Sequence, residues 1–206
     1  MAPVAAGSAF SSATDGDMRS PADRVDAADS WGIPREWATV TQVHGADVVR
    51  AEDPGDHGPA DAILTTRPGL PVAVLTADCL GVVLHGEGVV AATHAGWRGI
   101  AAGVIEVTVE TMAAIGSAPI SAVIGPSIGP CCYEVGPEVV AAVGSGATTT
   151  WGTSAVDLRA AARDRLEGAW PGVDVTIDDR CTRCSPGLHS HRRDGTTQRQ
   201  VAVGWL

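Results

Sequence analysis

The chain of 206 residues carries 24 acidic residues against 14 basic ones, all Arg, for a formal charge of -10. That balance excludes general nucleic-acid binding, which needs a basic surface, and the absence of Lys removes Schiff-base and P-loop chemistry. A hydrophobic content of 45% with 25 Gly describes a packed, loop-rich globule, and no apolar run approaches the roughly 20 residues of a membrane span.

Residues 1–36 read as polar and irregular, with a short helix in "SPADRVDAADSWG". The opening "MAPVAAGSAFSSATDGD" lacks the charged and continuous apolar regions of a signal peptide, and the five Cys are not spaced as a secreted disulfide framework. A cytoplasmic location is therefore expected. Segments 38–44, 46–52 and 60–66, each bounded by Gly or Pro, have strand character. Segments 70–76, 80–85 and 88–94 are continuous apolar runs too short for helices, hence buried strands. Residues 98–116 show helical spacing and end on Gly, which predicts one long amphipathic helix. Beyond it come a strand in "ISAVIGP", a short helix in "GPEVVAAVG", a flexible loop over 144–154 and a helix in "SAVDLRAAARDRLEGAW". Strands in "VDVTID" and "TQRQVAVGWL" follow. The pattern predicts a single α/β (α+β) domain over 1–206, with one mixed central β-sheet flanked by helices and 1–36 as a variable N-terminal segment.

Three residues share a placement that invites chemistry. His44 ("TQVHG"), Cys79 ("LTADCL") and His94 ("ATHAGWRG") each stand where a predicted strand ends, and Gly nearby lets a backbone approach a ligand. Two imidazoles and one thiolate make a strong zinc set, and three protein ligands leave the fourth position open, as in catalytic sites. The residues alone leave a second account standing, in which Cys79 is an inert buried thiol and both His are hydrogen-bonded loop residues.

The segments "TQVHGADVV", "ADAILTT", "LTADCLGVVL", "ATHAGWRGIAAGV", "IGPSIGPCCYEVG", "VDLRAAARDRL" and "CT…HSHRRDGTTQRQ" occur in an order that resembles the polyphenol oxidase/laccase-domain family. Members of that family are also described as purine nucleoside phosphorylases, and one bacterial branch as a peptidoglycan-editing factor. The resemblance implies about one catalytic zinc per chain, held by His44, Cys79 and His94, with copper able to substitute. It implies as substrates a purine nucleoside and phosphate, with phosphorolysis of adenosine, inosine, guanosine or methylthioadenosine, or deamination of adenosine. A fold like that of cysteine-hydrolase-like toxin deamidases is also implied, and with it a rival function: a metal-free hydrolase, or an editing enzyme for a cell-wall precursor, with Cys79 as nucleophile and His94 as base. A third possibility is a non-catalytic partner of the division or envelope machinery. True laccase chemistry is excluded, because six His cannot supply the roughly ten imidazoles of a blue-copper site plus a trinuclear cluster. The chain departs from the family at Ala13, where relatives often have Arg, at His191, which replaces an aromatic, and in "TTQRQ". A monomer or small homo-oligomer is expected.

Around the site, Asp78 either orients a ligand or exchanges protons with metal-bound water, or caps a turn. Arg98 with the start of the predicted long helix suits phosphate, the alternative being a solvent-exposed or ion-paired Arg. Arg192 and Arg193 are the next candidates for an anion. Trp97 either stacks on a purine or belongs to the core. Cys181, Cys184, His189 and His191 resemble a Cys-x-x-Cys…His-x-His zinc site, with both rings on one face of a strand. Adjacent Cys131 and Cys132 are expected to point to different sides and pack as small apolar groups.

Overall fold

The computed structural model describes residues 6–206; the first five residues of the polar N-terminal stretch lie outside the described residues. In chain order the elements begin with β1 (Gly7–Phe10), α1 (Pro21–Trp31), β2 (Ala38–Thr41), β3 (Val48–Arg50) and β4 (Gly55–Pro59). Next come β5 (Ala62–Thr65), β6 (Val72–Thr76), β7 (Leu80–Gly86), β8 (Val89–Ala95), α2 (Trp97–Ala102), α3 (Val104–Ala114) and β9 (Pro119–Ile124). The chain continues through α4 (Pro137–Val143), β10 (Gly146–Thr148), β11 (Ser154–Val156), α5 (Leu158–Ala169), β12 (Asp174–Ile177), α6 (His191–Asp194) and β13 (Gln200–Trp205). Among the described residues, no helix is long and apolar enough to cross a membrane.

The single central sheet expected from the sequence is in fact two mixed sheets, one ordered β1-β13-β6-β2-β4 and the other β12-β9-β7-β8-β5-β3, plus the hairpin β10-β11. Their inner faces pack together through Val40, Val72, Val74 and Ala202 on one side and Ile63, Val83, Val90 and Ala92 on the other. The outer face of the six-stranded sheet presents Leu64, Leu80, Val82 and Leu84 to Ile100, Ile105, Val109, Met112, Leu158 and Leu166 of α2, α3 and α5. The outer face of the five-stranded sheet, with Ala73, Val201 and Val203, packs on Ala27 and Ala28 of α1 and on Met18 and Trp37. Four layers result, helix–sheet–sheet–helix. Strands buried on both faces read as continuous apolar runs whether the covering layer is a helix or another sheet, so periodicity could not distinguish the two cases. Where the sheets approach most closely a side chain is excluded: a Cβ on Gly81 would stand 2.6 Å from Ala202 Cβ.

Two further expectations are corrected. The long helix over 98–116 is broken into α2 and α3 by Gly103, whose φ of +87° is left-handed and whose N–H caps the carbonyls of Gly99 and Ile100. The loop expected over 144–154 is instead most of the hairpin β10-β11, in register Gly146↔Val156 to Thr148↔Ser154. It is closed by the bond from Thr149 N–H to Thr153 O and by Gly152 at φ +88°. The helices of "SPADRVDAADSWG" and "VDLRAAARDRL" form as expected, the first capped by Ser20 with Pro at its start and the second by Asp157 accepting from Arg159 and Ala160 N–H.

From β2 to β7 the chain passes repeatedly between the two sheets: β2, β4 and β6 belong to one, β3, β5 and β7 to the other. The crossovers carry His44, Asp61 and Cys79, and β8 ends beside them at His94.

Candidate active site

The expected trio converges. One ligand atom from each of His44, Cys79 and His94 lies within 4.8 Å of the others, and the two imidazoles meet edge to face with centroids 4.9 Å apart. Gly96 clears the space beside them, since a Cβ there would sit 3.0 Å from Cys79 Sγ and 3.3 Å from His44 Cδ2. The Gly two residues after His94 thus has a steric reason.

Asp61 holds the arrangement, and sequence reasoning missed it. This carboxylate is fully buried. It accepts the backbone N–H groups of Val43, His44 and Gly45 at 3.1, 3.0 and 2.6 Å and bonds His94 Nδ1 at 2.7 Å. The three N–H bonds fix the loop in which His44 adopts a left-handed φ of 63°, a conformation unusual for a residue with a Cβ. The bond to Nδ1 leaves His94 Nε2 as the nitrogen available for a metal, the carboxylate–histidine arrangement that orients zinc ligands. Burial pushes the Asp61 carboxyl up, but the bonds from His94, Gly45 and Val43 outweigh it and hold it below the usual carboxylate range. The available signal was an Asp placed between Ala60 and Ala62 at the head of an apolar strand.

In the metal-free protein, burial alone would raise the Cys79 thiol, yet hydrogen bonds from His44 and His94 bring it down to about 6. Burial would lower His94, and the Asp61 and Cys79 contacts raise it to about 9. Two imidazoles and a readily ionised thiol, with one imidazole backed by a carboxylate, fit a zinc ion with one coordination position left over.

The trio opens onto a cavity of about 500 Å³ lined also by Arg19, Gln42, Thr76, His191 and Arg199. Gln42 is committed to structure, since its amide both donates to Leu75 O and accepts Leu75 N–H at 2.8 Å. Arg19 and Arg199 are cations of the cavity that the sequence did not single out.

Of the four residues proposed to hold substrate, Asp78 at φ +92° accepts Thr182 Oγ1, Ser190 Oγ and the Arg192 N–H at 2.6–2.7 Å, so its carboxylate clamps the C-terminal segment beside Cys79. Arg193 donates to the carbonyls of Thr182, Ser185 and Leu188 at 2.7–3.0 Å, which ties the same segment together. Arg98 is exposed and lies over the Trp97 ring at 4.5 Å, on a helix of only six residues rather than a long one. Arg192 lies over Tyr133 at 5.3 Å. Tyr133 is pushed up to about 12 chiefly by burial and by the Cys79 charge, while Arg192 and Arg98 pull it down. Those two cations therefore flank the site on the side of Tyr133.

The expected Cys181, Cys184, His189, His191 group does not assemble. His189 Nε2 bonds Gly16 O at 2.9 Å, and His191 starts α6 and lines the cavity. The segment is a chain of turns rather than a strand, so the two rings do not share a face. Cys181 and Cys184 instead meet Cys131 and Cys132, whose sulfurs turn the same way, 3.6 Å apart, and do not point to different sides. This four-cysteine cluster can hold a metal ion.

An α/β protein that gathers His and Cys from two crossovers between packed sheets with a His from the end of β8 is defined by that site as much as by its fold. A family model described as multi-copper polyphenol oxidoreductase laccase matches residues 10–206, and the chain belongs to that family. It is 43% identical to a purine nucleoside phosphorylase of Streptomyces coelicolor, over 90% of this chain and 81% of that protein. It is 37% identical to a purine nucleoside phosphorylase of Mycobacterium tuberculosis, over 90% and 78% respectively. The crystal structure of YlmD from Geobacillus stearothermophilus superimposes with a TM-score of 0.83 at 31% identity, covering 99% of this chain and 92% of that one. The α/β architecture with mixed sheets is thus that of this family; the likeness to toxin deamidases implied by the sequence has no counterpart among these matches.

Proposed function

We propose that the chain is a zinc-dependent purine nucleoside phosphorylase in which His44, Cys79 and His94 hold the metal. The observation that carries this is the His–Cys–His trio, backed by Asp61 and facing a cavity of about 500 Å³ with two Arg on its wall. The volume suits a nucleoside-sized ligand, and the names of the Streptomyces and Mycobacterium relatives support the substrate class. A bound zinc would supply Lewis acidity at the open position. The protein's part is to bind and orient. Arg19 and Arg199 in the cavity, or Arg98 and Arg192 at its flank, offer the charge-assisted donors that phosphate requires. In phosphorolysis a phosphate oxygen bonds to C1′ of the ribose as the bond to the purine nitrogen breaks, and the base leaves with a proton on nitrogen. In deamination water adds at C6 of adenosine and ammonia leaves. Adenosine, inosine, guanosine and methylthioadenosine are the substrates to try. The test is chromatography of free base released by zinc-loaded protein with and without phosphate, beside ammonia release from adenosine. Phosphate-dependent base release is expected. Failure to turn over any of the four nucleosides would sink the assignment and favour a non-catalytic partner role.

One observation favours a second function, a cysteine hydrolase acting on a nucleoside or a cell-wall precursor. Without metal, Cys79 at about 6 and His94 at about 9 form a thiolate–imidazolium pair near neutral pH. A covalent adduct of substrate on Cys79 in metal-free, fully active protein would establish it in place of the zinc enzyme.

A further inference from the structure

β9 and β12 are parallel neighbours, paired from Asp174↔Ser121 to Ile177↔Ile124, so the segments that follow them leave the sheet side by side. The pairing continues past the strands: Ser127 and Cys181 form a parallel bridge, and Thr182 N–H donates to Ser127 O at 3.0 Å. Each segment then turns. Cys132 and Tyr133 N–H both close on Gly129 O at 3.0 Å, while Cys184 and Ser185 N–H close on Cys181 O at 3.1 and 2.9 Å. The two turns bring four sulfurs together.

Their spacing is that of ligands around one ion. The Cys131–Cys132, Cys131–Cys184 and Cys132–Cys184 sulfurs are 3.6, 3.8 and 3.3 Å apart, and all four lie within 4.8 Å of one another. Four thiolates at about 2.3 Å from zinc in a tetrahedron stand about 3.8 Å apart. A disulfide would need about 2.05 Å, and all four thiols are free. Backbone and charge also suit anionic sulfur. Gly129 N–H donates to Cys181 Sγ at 3.2 Å. The space above Gly129 is bounded by Nη2 of Arg159, a nearly buried cation, together with Cys131 Sγ and Cys181 Cβ, each within 3.3 Å of where a Cβ would stand. Side-chain donors there are all soft sulfur, which selects zinc over the hard cations.

We propose that Cys131, Cys132, Cys181 and Cys184 hold a structural zinc ion, separate from the His44–Cys79–His94 site, that clasps the segment after β9 to the segment after β12. Four protein ligands fill the tetrahedron and leave no position for substrate. The clasp bears on the active site mechanically. Thr182, next to Cys181, donates to Asp78 beside Cys79, and Glu134, two residues past Cys132, accepts from Arg192 through its carbonyl. These are among the bonds that hold the C-terminal segment beside Cys79.

The test uses the full chain with Cys79→Ala, in which the four clustered residues are the only thiols left. After reduction, zinc loading and gel filtration, elemental analysis should find about one zinc in Cys79→Ala and two in wild type. Cobalt loading of Cys79→Ala should give intense thiolate-to-metal charge-transfer absorption with a tetrahedral d–d envelope. Adding Cys131→Ser and Cys184→Ser should abolish both signals. Reduced Cys79→Ala that binds neither zinc nor cobalt would overturn the proposal, as would metal content that the added Ser substitutions leave unchanged. A wild type that carries one zinc, undiminished in Cys79→Ala, would support this site and count against the zinc assignment at His44, Cys79 and His94.

Discussion

The two candidate metal sites are built on opposite plans. The His44–Cys79–His94 trio mixes nitrogen and sulfur, draws two ligands from different crossovers and the third from the end of β8, relies on the buried Asp61 and faces a cavity. The four-cysteine cluster is all sulfur, comes from two adjacent turns and leans on backbone N–H groups. An open, asymmetric site costs the fold a left-handed His and a buried carboxylate, and in return can admit a substrate. A closed site needs only two turns that meet. On this reading the contrast separates chemistry from fastening between His44 and Cys184 of one chain.

The largest test of this contrast is His94→Ala. Turnover should fall by more than about 100-fold, beyond what loss of a ligand's partner costs, while any metal held by the four cysteines stays. Elemental analysis beside the base-release assay reads both, and loss of metal from both places would mean the sites are not independent.

Asp61→Asn is expected to come next, lowering metal affinity or activity by roughly 10–100-fold. It should also lower Tm, since Asp61 serves three backbone N–H groups. The sign with pH follows from the depressed carboxyl: its stabilisation is present above the ordinary value of 3.8 and is lost as pH falls through the lower folded value. Thermal melts at decreasing pH should therefore converge for wild type and Asn variant in acid. A variant that melts like wild type at neutral pH would show that Asp61 does not hold the loop.

Cys79 offers a third measurement. In chelated protein its thiolate forms as pH rises through about 6 rather than 9.0, so alkylation by a neutral reagent should rise with a midpoint near pH 6. Zinc should suppress that reaction at neutral pH. Rapid alkylation in the zinc-loaded protein would mean that Cys79 is not a ligand.

The smallest effects should separate the two groups of Arg. If phosphate sits in the cavity, Arg199→Ala should raise the phosphate KM roughly tenfold, the scale of one charged hydrogen bond, and Arg98→Ala should do less. Both should retain zinc. The reverse order would place the anion on the flank with Trp97, Tyr133 and Arg192.

Much of this was legible in the chain, and what was not has physical causes. The runs at 70–76, 80–85 and 88–94 announced β6, β7 and β8, because strands buried on both faces need apolar residues at every position. For the same reason they concealed that one of the covering layers is a second sheet. β4 was invisible: "GDHGP" has neither apolar alternation nor β-branched residues, and it is a strand only through its parallel pairing with β2. The trio was found because its residue types are those of a metal site and the motifs resemble a family. Asp61 escaped because nothing local marks an Asp that will collect N–H groups from 16 to 18 residues away. The expectation that Cys131 and Cys132 diverge assumed extended backbone, whereas the bond from Cys132 N–H to Gly129 O makes a turn and brings both sulfurs to one side.

Asp61 has one further consequence, for kinetics. Because a single carboxylate grips the His44 loop through its backbone and the His94 ring through Nδ1, the His94 ring and the backbone that carries His44 are positioned before any ion arrives. Capture then needs little ordering of the chain, and the entropy lost on binding is small. If the trio holds zinc, release should be correspondingly slow, since the His94 ring cannot swing aside without giving up its bond to Asp61. The site should behave as a rigid chelator, exchanging its metal over long times even against competitors of comparable equilibrium affinity.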